Sequence, residues 1–110
     1  MGTAREYLGE FEQVVLLALA RLEEGGYGAA IHGEILETSG RDVSIPAVYV
    51  TLKRLEKKGL VRSAIRSVPG GGRAKKIYEL EPAGHAALTR SRELFERLWS
   101  GANVRTEGAS

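Results

Sequence analysis

The sequence predicts a mainly α fold with one small β-hairpin, in the order α-α-α-β-β-α. Three observations carry that prediction. Apolar residues recur at helical spacing over three successive early segments. Two strand-like runs then flank a cluster of turn formers, Pro69-Gly70-Gly71-Gly72. A long segment opened by Pro82 follows, carrying large apolar residues out to Trp99. With 110 residues the chain is one domain, near the lower limit of what a single apolar core sustains.

The first helix is predicted from Gly9 to Leu22, with Phe11, Val14, Val15, Ala18, Leu19 and Leu22 on one face. Leu16 and Leu17 widen that face, so the helix needs more than one packing partner. Gly25-Gly26 supplies its stop. Glu6, Glu10, Glu12 and the pair Glu23-Glu24 read as solvated helix-end charges. The second helix is predicted from Gly28 to Ser39, burying Ala30, Ile31, Ile35 and Leu36, with Gly40 as a left-handed cap.

After the short turn Gly40-Arg41-Asp42-Val43, Ser44 caps a third helix that accepts Pro46 in its first turn. Ile45, Val48, Leu52 and Leu55 form its predicted buried stripe. It ends near Lys58 at Gly59, with Lys57 and Lys58 suiting the negative end of the helix dipole. Strands are predicted over Leu60–Val68 and Lys75–Leu80. The last helix runs from Pro82 to about Ser100, and the tail 101–110 is expected to be disordered. Three helices followed by a two-stranded wing make a winged helix-turn-helix.

Charge is distributed unevenly. Between Arg41 and Leu80 stand ten basic residues (Arg41, Lys53, Arg54, Lys57, Lys58, Arg62, Arg66, Arg73, Lys75, Lys76) against three acidic ones (Asp42, Glu56, Glu79). The whole chain carries only +2, so the rest is net acidic. A basic middle between acidic ends suits one surface aimed at a polyanion.

Several function classes drop out. The absence of cysteine removes disulfides, thiolate catalysis and sulfur-based metal or redox sensing. No apolar run approaches the roughly 18 residues of a membrane span, and no secretory signal opens the chain. A cytoplasmic, nucleoid-associated protein with no membrane partner is therefore expected. His32 and His85 stand far apart with no nucleophile beside them, and the triple glycine lacks a phosphate-loop context. No enzyme activity, cofactor or metal is expected.

Certain stretches resemble the PadR-like family of bacterial transcription regulators. They are Leu8-Gly9-Glu10-Phe11-Glu12, Tyr27-Gly28 with Ile31, and Val48-Tyr49 followed by Leu52-Lys53-Arg54-Leu55-Glu56-Lys57-Lys58-Gly59-Leu60-Val61. Gly71-Gly72-Arg73-Ala74-Lys75-Lys76-Ile77-Tyr78 then leads into Leu80-Glu81-Pro82-Ala83-Gly84. The likeness covers about residues 8 to 100 and is similar to the short branch with a single C-terminal helix. Glu81 stands where the family often has a capping threonine or serine, and Pro46 where glycine is common. The resemblance implies a DNA-binding regulator, usually a repressor, that works as a homodimer.

The third helix is then the one to enter the major groove. Arg54 and Thr51 are candidates for base edges or nearby phosphates, and Ala47 and Val50 for thymine methyl groups. Ser44 and Lys53 complete that surface. Tyr49 reads equally as a core tyrosine, and the resemblance implies a phosphate contact for it. Arg66, Arg73, Lys75 and Lys76 on the wing would supply charge around the glycine-rich tip.

Residues 1–80 would form the DNA-binding unit and 81–100 a dimerisation helix. Leu88, Leu94, Phe95, Leu98 and Trp99 have too little partner surface in so short a chain. Pairing with a second copy, including Phe11 and Val15 of the first helix, would bury them. Val15, Phe95 and Trp99 are also candidates for a pocket taking a small hydrophobic or aromatic effector. The alternative reading is a winged helix that binds protein and not DNA.

Overall fold

A computed structural model describes residues 7–67, 70 and 72–105. Its elements are α1 (Glu10–Ala20), α2 (Gly28–Ser39), α3 (Ile45–Lys57), β1 (Val61–Arg66), β2 (Lys75–Leu80) and α4 (Pro82–Trp99). The predicted order holds throughout. Val68, Pro69 and Gly71, assigned from sequence to the end of the first strand and the wing tip, lie outside the described residues. So do Glu6 and residues 106–110 of the tail, while 102–105 form no regular element.

The core gathers where the first three helices and the base of the hairpin meet. Val15, Leu16 and Leu19 of α1, Ile31 and Ile35 of α2, and Val48, Leu52 and Leu55 of α3 are buried together with Val61 and Tyr78. A buried Leu or Ile side chain contributes about 1.5–3 kcal/mol, so this cluster dominates the stability of the unit. Three apolar residues assigned to buried faces stand outside it, Ala30 being half-buried. Leu36 and Ile45 are exposed. Ile45 shares the angular position of Leu52 but stands in the first turn of α3, beyond the elements that cover Leu52.

Helix α1 stops at Ala20, two residues before the predicted end, and the chain turns through Gly25 at φ +83°. A side chain at Gly25 would also strike the Tyr78 carbonyl. The glycine pair therefore does more than end a helix. It lets Gly26 exchange two backbone hydrogen bonds with Tyr78, at 3.0 and 2.8 Å. That bridge docks the hairpin on the helices, and the sequence reading contains no trace of it.

Strands β1 and β2 pair antiparallel in the register Val61↔Leu80 to Arg66↔Lys75. Side chains alternate across a strand, so the wing has two faces. Ser63, Ile65, Lys76 and Tyr78 share one; Arg62, Arg66, Lys75, Ile77 and Glu79 share the other.

The first half of α4 packs back through Gly84, Ala87 and Ser91. Beyond Ser91, Leu94 is half-buried, and Phe95, Leu98 and Trp99 are 50, 61 and 62% exposed. The helix projects past its own domain. Accordingly the radius of gyration, 16.1 Å, exceeds the roughly 13 Å of a compact chain this long.

Candidate nucleic-acid interface

The placement of α3 is fixed at both ends. Ser44 Oγ accepts the Ala47 N–H at 3.1 Å, which closes the first turn. In the preceding turn, His32 Nε2 donates to the Val43 carbonyl at 2.6 Å. Arg41 pairs with Glu10 at 2.7 Å and lies over the Phe11 ring. At the far end, Lys58 pairs with Glu12 at 2.9 Å, and Glu12 also accepts the Gly9 N–H.

Glu12 is thus not the solvated charge its position suggested but a buried carboxylate. Burial alone would raise its pKa. The hydrogen bonds from Lys58 and Gly9, with the charges of Lys58 and Arg54, outweigh that and hold it below the usual carboxylate range.

The outward face of α3 carries Val50, Lys53, Arg54 and Lys57, at i, i+3, i+4 and i+7. With Glu56 they line a shallow groove of about 540 Å³. Among the described residues no ion pair or side-chain hydrogen bond engages Lys53, Arg54 or Lys57. Lys57 was missed as a site residue because it also suits the helix dipole; its i+4 spacing from Lys53 was the available signal. Tyr49 is part-exposed, with its ring against the backbone of Gly28, where any side chain would collide with it. The close approach requires glycine and fixes the ring at the α2–α3 junction.

Thr51, predicted to face outward, is 4% exposed. The reason is geometric. Because α3 packs on α1, α2 and β1, its buried arc is wider than one apolar stripe. Thr51, about 100° round the helix from Val50, falls inside it.

The wing divides the remaining cations. Lys76 lies on the face toward α3, 3.9 Å from Glu56, which also accepts the Ser63 hydroxyl at 2.7 Å. Arg66 and Lys75 lie on the opposite face. Lys75 sits over the Tyr27 ring, and Arg66 pairs with Glu79 at 3.1 Å. The hydrogen bond from Arg66, with the nearby charge of Arg62, holds Glu79 below its ordinary pKa. Arg73 is exposed near the tip. The structure therefore groups Lys53, Arg54, Lys57 and Lys76, and sets Arg66 and Lys75 apart from them.

Two residues assigned to the dimer surface are placed elsewhere. Val15 is fully buried in the chain's own core, so it can line neither an interface nor an open pocket. Phe11 packs on the same core beneath Arg41, about 120° round α1 from Leu17. Leu17, by contrast, is half-exposed. It lines a groove of about 360 Å³ with Gln13, Leu88, Thr89, Arg92, Phe95, Glu96 and Trp99. Glu81, at the start of α4, makes no capping hydrogen bond and pairs with Arg62 at 3.1 Å.

Residues 15–90 match the model of the transcriptional regulator PadR-like family. The chain belongs to that family. A transcriptional regulator of Mycobacterium tuberculosis is 43% identical over 72 residues, which cover 62% of this chain and 65% of that protein. The chain thus matches a little under two thirds of the length of this curated relative. A PadR family transcription regulator of Clostridium difficile superposes with a TM-score of 0.72 at 24% identity, covering 86% of this chain and 96% of the other. F93 from STIV, described as a winged-helix DNA-binding protein, superposes at 0.68 with 19% identity, over 84 and 95% of the two chains. These likenesses establish the winged helix-turn-helix fold. Family and fold are those of DNA-binding transcription regulators, not enzymes. Among the described residues, no helix of this PadR-like chain is long and apolar enough to cross a membrane. Nor does any cluster of three His, Asp or Glu side chains there suit a metal ion.

Proposed function

We propose that the chain is a homodimeric repressor that binds a palindromic operator through α3 and the wing. The carrying observation is the stripe of Lys53, Arg54 and Lys57, which makes no ion pair with a carboxylate among the described residues. A cationic helix face beside a hairpin matches a duplex groove and its flanking phosphates in shape and charge. Residues 1–80 would bind DNA. Residues 81–100 would pair two chains through Leu94, Phe95, Leu98 and Trp99, with the half-buried Leu88 at the edge. The two α3 helices would then stand about one duplex turn, roughly 34 Å, apart. Repression is what the family resemblance implies.

The test is retardation of the promoter of the protein's own gene at two salt concentrations. Binding should weaken steeply with salt, because neutralised phosphates release counterions. Arg54→Ala should weaken it by about 1–3 kcal/mol, or roughly 5- to 150-fold, with the dimer intact. Binding to no duplex, or salt-independent binding, would refute the reading.

The groove of Leu17, Leu88, Phe95 and Trp99 would accept a flat hydrophobic effector that releases the operator. Trp99 is the chain's single tryptophan, so a planar aromatic compound bound there should quench its fluorescence. A chemically diverse panel without quenching would dismiss the effector and leave DNA binding untouched.

A further inference from the structure

The outward surface of α3 is divided along its length. Its last two turns present Lys53, Arg54 and Lys57. Its first two present Pro46, the half-buried Ala47 and Val50, all apolar. Val50 is 58% exposed and continuous with the exposed Pro46 on that face.

Few groups in that first half could hydrogen-bond a base edge. The Ser44 hydroxyl accepts the Ala47 N–H and keeps a single O–H to donate. The Tyr49 ring lies against Gly28, and Thr51 is buried. Two-point recognition of guanine or adenine calls for Arg, Lys, Asn or Gln, and none precedes Lys53 in this helix. The major-groove feature an apolar side chain can read is the C5-methyl of thymine.

We propose that α3 selects its half-site by packing Val50, flanked by Pro46 and Ala47, against thymine methyl groups. Lys53, Arg54 and Lys57 hold the backbone alongside. This rests on the DNA-binding reading above and adds what is read. The cationic flank identifies the occupant, since the same helix face offers a polyanion its counter-charge one turn away.

The experiment uses duplexes selected from a random library by the full-length protein. Each is resynthesised with deoxyuracil at single thymines, which deletes the methyl group and keeps every base-pair hydrogen bond. One or two positions per half-site should lose about fourfold in affinity, the worth of one buried methyl-sized group. Deoxyuracil outside the half-site should change nothing, and the salt dependence should stay constant because phosphate contacts are untouched. Val50→Ser should weaken thymine duplexes and erase the thymine–uracil difference. Its fold and dimer mass serve as controls.

Equal affinity for thymine and uracil duplexes, with salt-sensitive selective binding intact, overturns methyl reading and leaves the regulator reading standing. So does a thymine preference that survives Val50→Ser. No binding to any duplex, or capture of an acidic protein in place of DNA, overturns both.

Discussion

Helices α3 and α4 are each covered on one side by the rest of the chain, and what their last two turns leave bare is opposite in kind. α3 leaves Lys53, Arg54 and Lys57; the outer half of α4 leaves Phe95, Leu98 and Trp99. A bare cation is well solvated and can wait for a partner. Bare apolar surface disfavours the isolated chain by roughly 25 cal/mol for each Å². The contrast assigns two kinds of partnership. The α4 face calls for a cover that stays, and in the proposed homodimer a second copy of the chain would supply the same apolar stripe in return. The α3 face suits an encounter that ions in solution can reverse.

The largest expected effect separates these roles. Leu98→Asp combined with Trp99→Asp places two charges on the α4 stripe, and both positions are exposed in the single chain. Each unit should keep its helical circular dichroism while sedimentation shows one chain in place of two. Affinity for a two-half-site duplex should fall by about 100-fold or more, because the second half-site contact is no longer tethered to the first. A variant that remains dimeric would return the α4 face to ordinary solvent exposure and break the comparison.

A smaller effect probes how α3 is held. Glu12 ties the start of α1 to Lys58 just past the end of α3, an anchor that the outer half of α4 lacks. Glu12→Gln keeps the shape and removes the charge. It should cost about 1–2 kcal/mol of unfolding free energy at neutral pH, the range of a partly buried charge-assisted hydrogen bond beside a partly exposed lysine. The folded-state pKa of Glu12 lies below its ordinary value. Its stabilisation is therefore complete above the unfolded pKa, near 4.3, and disappears as pH falls through the lower folded value. Denaturant titrations should show the gap between wild type and variant shrinking as pH falls below the unfolded pKa, and a gap independent of pH would show that the carboxylate charge is not what matters.

Local chemistry announced where the elements lie. Ser44, Pro46, Gly40 and Pro82 act within one turn of themselves, and the helices they bound are found where those residues put them. Apolar spacing likewise identified Val48, Leu52 and Leu55. What it could not supply was the breadth of each buried face, because that depends on how many elements pack there. Thr51 and Val15 are covered by neighbours distant in sequence, while Ile45 and Leu36 are left about two-fifths exposed, at 42 and 43%. The Gly26–Tyr78 bridge and the Glu12–Lys58 pair join positions 52 and 46 residues apart, and neither end carries a local mark of its partner. The α3 stripe was legible as charge and spacing, yet which wing cations stand beside it depends on strand register and docking.

The smallest predicted effect gives the sharpest division within α3. Thr51 and Arg54 are three residues apart, and helical spacing alone places both on the outward side. The packing of α3 buries one and exposes the other. Thr51→Val fills nearly the same space without the hydroxyl, so operator affinity should stay within about twofold and stability within about 1 kcal/mol. Arg54→Ala should do the reverse, weakening DNA binding while leaving the unfolding midpoint nearly unchanged. Measuring affinity and unfolding on both variants crosses the two readouts. If Thr51→Val cost as much operator affinity as Arg54→Ala, with stability unmoved, the hydroxyl would have to reach DNA, and the face assigned to the core would have to open in the complex.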